Sequence, residues 1–302
     1  MNKYERTSCP SCTSKNIKPY GTRNNYNLST CDECDLVFVT NFISSNDLHE
    51  FYKGQSCESY INQDNELRTN CRKLLCEILE LGLNGKEVLD VGCGSGLFLE
   101  ETRNAGLTGT GIEPDPERVA FSRSRGLNVI QGILPCEELS GKTFNLIWLS
   151  HVIEHVPEPH GLIEEVVRIM CPGALLAVIT PNVKGLSSRI LNVHHRYIIP
   201  PEHVSYYSMR SIHVLLTSHG LVNEKTYTHG AQYTLKEIFA YILKLQFQTR
   251  SALSCSEKRF VEGRGKAAKV AYNALVWISS ACGPLLELFE GDTLIAFYRK
   301  PL

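Results

Sequence analysis

The sequence predicts an α/β fold with a parallel sheet, and three observations support this prediction. Residues 88–91 are a short apolar run that stops at a glycine-rich turn, and an amphipathic segment follows the turn. A second short strand ends in Ile112 and Glu113. A third run, Phe144–Ser150, is almost continuously apolar, as is typical of a strand that is covered on both faces. The first two together form half of a nucleotide-binding βαβ unit.

Composition limits the class of protein. The 302 residues are enough for one α/β core and a small extra module. The formal net charge is −1 and the two signs are interspersed, so we expect no nucleic-acid partner. The first residues lack the apolar segment of a secretory signal, which makes a reducing, cytoplasmic location the expectation. The 12 cysteines are then expected to be thiols or metal ligands rather than disulfides.

Residues 1–45 carry two C-x2-C pairs, Cys9 with Cys12 and Cys31 with Cys34. Four thiolates in a tetrahedron suit a structural zinc ion and leave no open position for a substrate. A redox dithiol pair is the alternative, but no βαβ pattern flanks either pair. We therefore predict a zinc ribbon that acts as a scaffold or docking surface.

Residues 46–84 are predicted to be a helical segment. Apolar residues between Leu67 and Leu79 recur every three or four positions, and Gly82 and Gly85 mark the end of the segment.

The glycine turn and the acid that follows it indicate a bound nucleoside. Gly92, Gly94 and Gly96 allow the backbone to pass close to a ligand, because a Cβ at such a position would collide with it. Glu113 is placed to accept hydrogen bonds from two ribose hydroxyls. Dinucleotide folds use G-x-G-x-x-G, and here the third glycine comes one residue early.

The D-x-G-x-G-x-G run that begins at Asp90 resembles motif I of class I S-adenosylmethionine-dependent methyltransferases. The resemblance implies a Rossmann-like seven-stranded sheet with strand order 3-2-1-4-5-7-6 and S-adenosylmethionine as the cofactor. It assigns Asp90 to the methionine moiety and Glu113 to the ribose. It also implies cofactor contacts from Gly132, Ile133 and Ser150, of which the first two lie near the adenine.

Residues 151–157, HVIEHVP, follow the Phe144–Ser150 strand and match the H-x-x-E-H pattern of inverzincin proteases. We reject a protease, because that site needs one long helix and Pro157 interrupts the segment. The segment resembles instead the motif after strand four of small-molecule methyltransferases, notably those of ubiquinone biosynthesis. Its Glu-His pair lies beside cofactor and substrate in that family. A core-packing role for His155 is the alternative.

Residues 183–210 are the least periodic part of the core and are rich in His, Tyr and Arg, which favours a functional loop. The run from Pro201 to Ser208 resembles methyltransferase type 11/23 domains, where it walls the acceptor pocket. Our candidates for a catalytic base are His203 and His155, with His151 behind them, and we expect a pKa near that of imidazole. Catalysis by alignment alone is the alternative.

The expected organisation is a zinc ribbon (1–45), a helical cover (46–84), a methyltransferase core (85–230), a helical lid (231–290) and a last core strand (291–302). The resemblance to these methyltransferases implies that the helical segment covers the cofactor pocket and that an aromatic near Tyr60 touches the cofactor. The lid is expected to emerge over the active site. Its apolar segment 270–289 is a packed lid, a dimer helix or a shallow membrane attachment.

The predicted function is methyl transfer from S-adenosylmethionine to a small-molecule acceptor such as a sugar, a phenol or a natural-product intermediate, with O-methylation favoured. The alternative is a non-catalytic S-adenosylmethionine-binding or scaffold protein that docks a partner through its ribbon. Ile133, Cys171 and Ala174 depart from the family pattern and favour the alternative. The intact Asp90, glycines and Glu113 oppose it.

Overall fold

The computed structural model describes residues 4–42, 64–230 and 290–302. The chain divides into two compact units, the first comprising Met1–Pro181, Tyr197–Tyr227 and Leu294–Leu302, and the second Asn182–Arg196 and Thr228–Thr293. Tyr60 with the first part of the cover, residues 46–63, and nearly all of the lid lie outside the described residues. The expectations for those segments stay predictions.

The helices of the described residues are α1 (Asp64–Glu80), α2 (Leu97–Asn104), α3 (Pro116–Ser124), α4 (Pro159–Ile169), α5 (Leu186–Leu191) and α6 (Met209–Ser218). Short 3₁₀ helices cover Glu137–Leu139, Ile153–His155 and Asn192–His194. Among these described segments, no helix combines the length and the apolar character needed to cross a bilayer.

The central sheet has seven strands: β6 (Glu87–Val91), β7 (Thr108–Glu113), β8 (Val129–Gln131), β9 (Phe144–Ser150), β10 (Met170–Pro181), β12 (Val222–His229) and β13 (Thr293–Arg299). Their order is β12-β13-β10-β9-β6-β7-β8. Counted from β6 as the first core strand, this is the predicted order 3-2-1-4-5-7-6. The predicted seven-stranded methyltransferase-type sheet is therefore confirmed. The bounds of some individual elements differ from those predicted from the sequence.

Two bounds show why they differ. The apolar run predicts this strand over Leu175–Ile179, but β10 begins at Met170, with a register shift against β9 between Met170 and Leu175. Helix α3 begins directly after Asp115, whose side chain accepts hydrogen bonds from the backbone amides of Glu117 and Arg118. Such an N-cap, followed by proline in the first turn, fixes a helix start more sharply than apolar spacing does.

A second sheet joins the N-terminal ribbon to the rest of the first unit. Its strands are β2 (Ile17–Arg23), β3 (Tyr26–Cys31), β4 (Val37–Val39) and β11 (Ser205–Tyr206), in the order β11-β4-β3-β2. β1 (Tyr4–Glu5) and β5 (Asn41–Phe42) form a separate antiparallel pair. β11 comes from the loop that the sequence analysis assigned to the acceptor pocket, so the ribbon sheet is completed by a distant part of the chain.

The hydrophobic core is continuous from the ribbon to the central sheet. One cluster of buried side chains includes Leu36 and Phe38 of the ribbon, Leu89 of β6, Ile147 of β9 and Leu215 of α6. The ribbon is therefore packed as part of the first compact unit.

This shared core predicts that the ribbon and the central sheet unfold together. Phe38 is 0 % exposed, and Phe38→Ala should lower the free energy of unfolding by about 3–5 kcal/mol because it leaves a cavity. Leu67 on α1 is 40 % exposed, so Leu67→Ala is the control and should cost less than about 0.5 kcal/mol. Urea denaturation followed by circular dichroism measures both. A separate, earlier ribbon transition would contradict the shared core.

Candidate active site

The carboxyl ends of neighbouring parallel strands bring two sequence-predicted turns together. β6 pairs in parallel with both β7 and β9, so the turns that follow β6 and β9 leave the sheet at the same edge. A Cβ built on Gly92 would come within 2.8 Å of Val152 Cγ2, which shows how closely the two turns pack. The strand order reverses between β6 and β9, and ligands of open α/β sheets bind at such a point.

The glycine turn leaves open space at Gly94. Gly92, Gly94 and Gly96 have φ angles of 70°, 53° and 81°, which side chains rarely adopt. A Cβ on Gly96 would lie 2.3 Å from Leu127 Cδ1, whereas nothing lies within 4 Å of a Cβ on Gly94. Packing therefore requires the two outer glycines. The central one is required by its backbone conformation and leaves room for a ligand.

Two buried acids flank this space, Asp90 at the end of β6 and Glu113 at the end of β7. The Glu113 carboxylate accepts the Gly94 N–H at 2.9 Å and the Asp115 N–H at 3.0 Å, one on each oxygen. Each oxygen keeps a second acceptor position, which suits a pair of ribose hydroxyls. Burial and the charge of Glu113 raise the pKa of Asp90 well above its ordinary value. Such a pair favours a positively charged ligand and disfavours a diphosphate.

The other residues predicted to contact a cofactor lie near the ends of β8 and β9. The N–H of Gly132 donates to the carbonyl of Glu113 at 3.0 Å. Ile133 is 65 % exposed, so its apolar side chain is available to a planar ring. Ser150, the last residue of β9, lies opposite Ile179 of β10. Their role in cofactor binding stays a prediction.

The turn after β9 holds a buried carboxylate. Glu154 is 1 % exposed; one carboxylate oxygen lies 3.0 Å from His151 Nδ1, and the other accepts the Thr180 hydroxyl at 3.0 Å. His151 has a φ of 54°, an uncommon conformation for a side-chain-bearing residue and one that is enriched at functional sites. The Glu154 and His155 backbone forms a 3₁₀ turn, so the long helix of a zinc protease is absent from this described segment.

Glu154 is ionised in spite of its burial. Desolvation raises its pKa, but the hydrogen bond with His151 and the fields of the histidines outweigh that effect and lower the pKa to about 2. Glu154 therefore places a buried negative charge beside His151, His155 and His203.

His155 and His203 lie edge to face, with ring centroids 4.6 Å apart. His155 Nδ1 donates to the carbonyl of Glu202 at 2.8 Å, and His203 Nδ1 donates to the carbonyl of Tyr197 at 2.9 Å. A carbonyl can only accept, so Nε2 is the acceptor nitrogen of each neutral ring. Both sequence-predicted histidines thus present a proton acceptor.

Burial changes the basicity expected for His203. Desolvation, followed by the field of His155, lowers the pKa of His203 to about 4. The sequence-based expectation of an ordinary imidazole pKa is therefore wrong for His203, because burial cannot be read from its local sequence.

Glu154, His155 and His203 form a cluster that the sequence analysis did not recognise as a unit. One ligand atom from each lies within 4.8 Å of the others, so the three could share a cation. A carboxylate and two imidazoles are also a ligand set used by catalytic metal sites. The sequence contains part of the pattern that would indicate this cluster, because Glu154 and His155 are adjacent. The third member, His203, is far away in the sequence.

The four ribbon cysteines come together as predicted. One sulfur each from Cys9, Cys12, Cys31 and Cys34 lies within 4.8 Å of the others. The Cys9–Cys34 and Cys12–Cys31 sulfur pairs are each 3.4 Å apart. The hydrogen bond with Cys34 lowers the pKa of Cys9, which favours a thiolate there. This donor set fits tetrahedral zinc.

Comparison with known sequences gives matches over the central part of the chain. The family model of a methyltransferase domain matches residues 64–226. A ubiquinone biosynthesis O-methyltransferase of Xanthomonas oryzae is 35 % identical over 125 residues, which are 39 % of this chain and 52 % of that protein. One from Vibrio cholerae is 29 % identical over 153 residues, 47 % of this chain and 60 % of the relative. The chain thus spans about half the length of the curated relatives it matches.

Comparison with solved structures supports the fold. A SAM-dependent methyltransferase from Archaeoglobus fulgidus aligns with a TM-score of 0.51 and 18 % identity, covering 85 % of this chain and 100 % of that one. At this identity, the likeness establishes the sheet architecture alone.

The ionised state of Glu154 predicts a pH-dependent stability. The fold lowers its pKa from 4.5 to about 2, so the carboxylate stabilises the fold fully above pH 4.5 and loses this effect as the pH falls through 2. Glu154→Gln should lower the free energy of unfolding by about 1–3 kcal/mol at neutral pH, and the difference should shrink below pH 4.5. Urea titrations across pH measure this. Glu80→Gln, an exposed change on α1, is the control, and equal losses in both variants would contradict the assignment.

Proposed function

This chain belongs to the methyltransferase domain family, and from that premise we propose that it transfers a methyl group from S-adenosylmethionine to a small-molecule acceptor. The proposal depends above all on the two buried acids beside the open space at Gly94. S-adenosylmethionine carries a sulfonium and an ammonium, whose positive charge complements Asp90 and Glu113. The same acids would repel the diphosphate of a dinucleotide.

The proposed cofactor contacts follow the geometry of the edge. Asp90 holds the methionine moiety, and the remaining acceptor positions of Glu113 hold the ribose hydroxyls. Gly132 and Ile133 border the adenine, where the exposed apolar side chain of Ile133 covers the ring. Ser150 lies on the side of the methyl group, at the end of β9.

The acceptor side is formed by the histidine cluster on the adjoining turn. When bound, S-adenosylmethionine would supply an electrophilic methyl group, which would pass from its sulfur to the acceptor oxygen and leave S-adenosylhomocysteine. Nε2 of His203 or His155 takes the proton from an acceptor hydroxyl, and ionised Glu154 stabilises the resulting imidazolium. His151 is held by Glu154 and stands behind the pair. The names of the curated relatives agree with O-methylation.

A second role for the same cluster has one observation in its favour. The ligand atoms of Glu154, His155 and His203 are close enough to hold one divalent cation. In that case the cation, and not a histidine, would lower the pKa of the acceptor hydroxyl. Activity that is lost in chelator and restored by Mg²⁺, Mn²⁺ or Zn²⁺ distinguishes this role from that of a base.

The proposal is tested by binding and turnover together. Calorimetry should detect binding of S-adenosylhomocysteine, and a metabolite extract should stimulate its release from S-adenosylmethionine. Glu113→Ala should weaken cofactor binding by about 1–3 kcal/mol because the ribose hydroxyls lose their acceptor. Glu87→Ala, an exposed change at the opposite end of β6, is the control. Binding without turnover on any acceptor class would favour the non-catalytic alternative.

The assignment of His203 as the base predicts how turnover changes on substitution and how it depends on pH. His203→Ala should lower turnover by roughly 10²–10⁴-fold while cofactor affinity holds. If His203 is the base, activity in acid should fall around pH 4, well below the ordinary imidazole value of 6.5. His155→Ala is the comparison, and His213→Ala on α6 is the control, since His213 is bonded to the Tyr298 hydroxyl.

Two outcomes would contradict the assignment of His203. One is near-normal turnover of both the His203 and His155 variants across pH, which means that alignment alone drives the reaction. The other is an acid limb centred near 6.5 that survives His203→Asn.

For the ribbon we propose one structural zinc ion held by Cys9, Cys12, Cys31 and Cys34. Elemental analysis of protein purified under reducing, chelator-free conditions should give one zinc per chain. Cys31→Ser should lose the metal, whereas Cys76→Ser, an exposed cysteine on α1, should keep it. Metal-free protein with a normal fold would contradict the site.

A further inference from the structure

The ribbon contacts the chain directly beside His203. The backbone N–H of Val39, in β4, donates to the carbonyl of Val204 at 2.9 Å. The N–H of Val204 in turn donates to the carbonyl of Glu154 at 2.9 Å. The residue that follows His203 is therefore held between a ribbon strand and the turn that carries the buried carboxylate.

The cysteine-containing turns themselves make the next contacts along this loop. The buried hydroxyl of Ser11, between Cys9 and Cys12, donates to the carbonyl of Ser211 at 2.9 Å. The carbonyl of Cys34 accepts the Ser208 hydroxyl at 3.4 Å. Both contacts fall at the start of helix α6, so the geometry of the metal-binding turns sets where the loop ends.

The ribbon hairpin contacts the loop before His203, and the ribbon sheet pairs with β11 after it. The side-chain amide of Asn24, in the β2–β3 turn, donates to the carbonyl of Pro200 at 3.1 Å. The Tyr206 hydroxyl donates to the carbonyl of His203 at 2.7 Å, and Tyr206 lies opposite Val37 in the ribbon sheet. The loop of residues 197–208, called the histidine loop below, is thus hydrogen-bonded to the ribbon both before and after His203 in the sequence.

We propose that the ribbon is a positioning element for the acceptor side of the active site, and that the metal in its cysteine cluster fixes the position of His203. The ribbon shares its apolar core with the central sheet, but the two C-x2-C turns that make these contacts converge on the four cysteines, so the local geometry of the turns depends on the metal. The glycine turn and Glu113 are held by β6, β7 and α3. Metal loss should therefore disturb the acceptor side and spare the cofactor side. This inference rests on the proposed role of His203.

Hydrogen exchange on the full chain tests the proposal without any turnover. Protein loaded with one zinc per chain is compared with protein stripped by a chelator under reducing conditions. Backbone amides of residues 203–208 should exchange at least about tenfold faster after metal removal, because their opening no longer requires rupture of the ribbon turns. Amides of β6 should keep their rates, and the Kd of S-adenosylhomocysteine should change less than about twofold.

A matched pair of variants tests the coupling while the metal stays bound. Ser11 and Glu33 occupy equivalent positions in the two C-x2-C turns. The Ser11 hydroxyl is hydrogen-bonded to the backbone of α6. Glu33 is exposed, and its carboxylate accepts a hydrogen bond from Asn16 within the ribbon. Ser11→Ala should speed exchange in residues 203–208 about fivefold, the effect of one lost hydrogen bond, and Glu33→Ala should not. Both variants should retain one zinc per chain.

Turnover adds a readout that loss of general stability does not mimic. With an acceptor in hand, Ser11→Ala should lower kcat and leave the KM for S-adenosylmethionine unchanged. Unchanged exchange in residues 203–208 after metal removal, or equal loss of cofactor binding, would overturn the proposal. Failure of the proposed function looks different, since a chain without methyl transfer would still show the exchange coupling.

Discussion

The structure of the site depends on one buried, ionised carboxylate. Glu154 is surrounded by the first unit's core, and its neighbours solvate it in place of water. Thr180 and His151 contact its side chain, and Val204 donates to its carbonyl. An ionised group in such a place is stable only when it is paired and hydrogen-bonded. The requirement to satisfy the Glu154 carboxylate therefore ties β10 to the turn after β9, and the backbone carbonyl of Glu154 joins the histidine loop, residues 197–208, to the same turn.

The two halves of the site are built by different means. On the side proposed for the cofactor, a short stretch of chain supplies Asp90, the glycine turn and Glu113, and parallel pairing of β6 with β7 sets their positions. On the side proposed for the acceptor, the turn after β9, the loop of residues 197–208 and ribbon strand β4 come from distant parts of the sequence. The first side is built from local sequence, and the second is built by tertiary contacts. The proposed effect of the ribbon on the acceptor side alone follows from this difference.

The same difference decides what the sequence could predict. The sheet order, the glycine turn and the four cysteines have local signals, in apolar runs and fixed spacings, and the structure agrees with each. The pairing of β11 with β4 has no such signal, because a two-residue strand is too short to show alternation. The low pKa of His203 could not be predicted from the sequence either, because it depends on burial by elements far away in the chain. Strand β10 begins at Met170, ahead of the apolar run that predicts it, because the chain is already extended there.

We propose that a methyl donor lies between the glycine turn and the histidine cluster. A crystal structure of the chain with S-adenosylhomocysteine tests this most directly. We expect both ribose hydroxyls within hydrogen-bond distance of the Glu113 carboxylate, and the sulfur turned toward His155 and His203. A ligand bound away from the carboxyl ends of β6 and β7, or a sulfur turned away from the histidines, would contradict it.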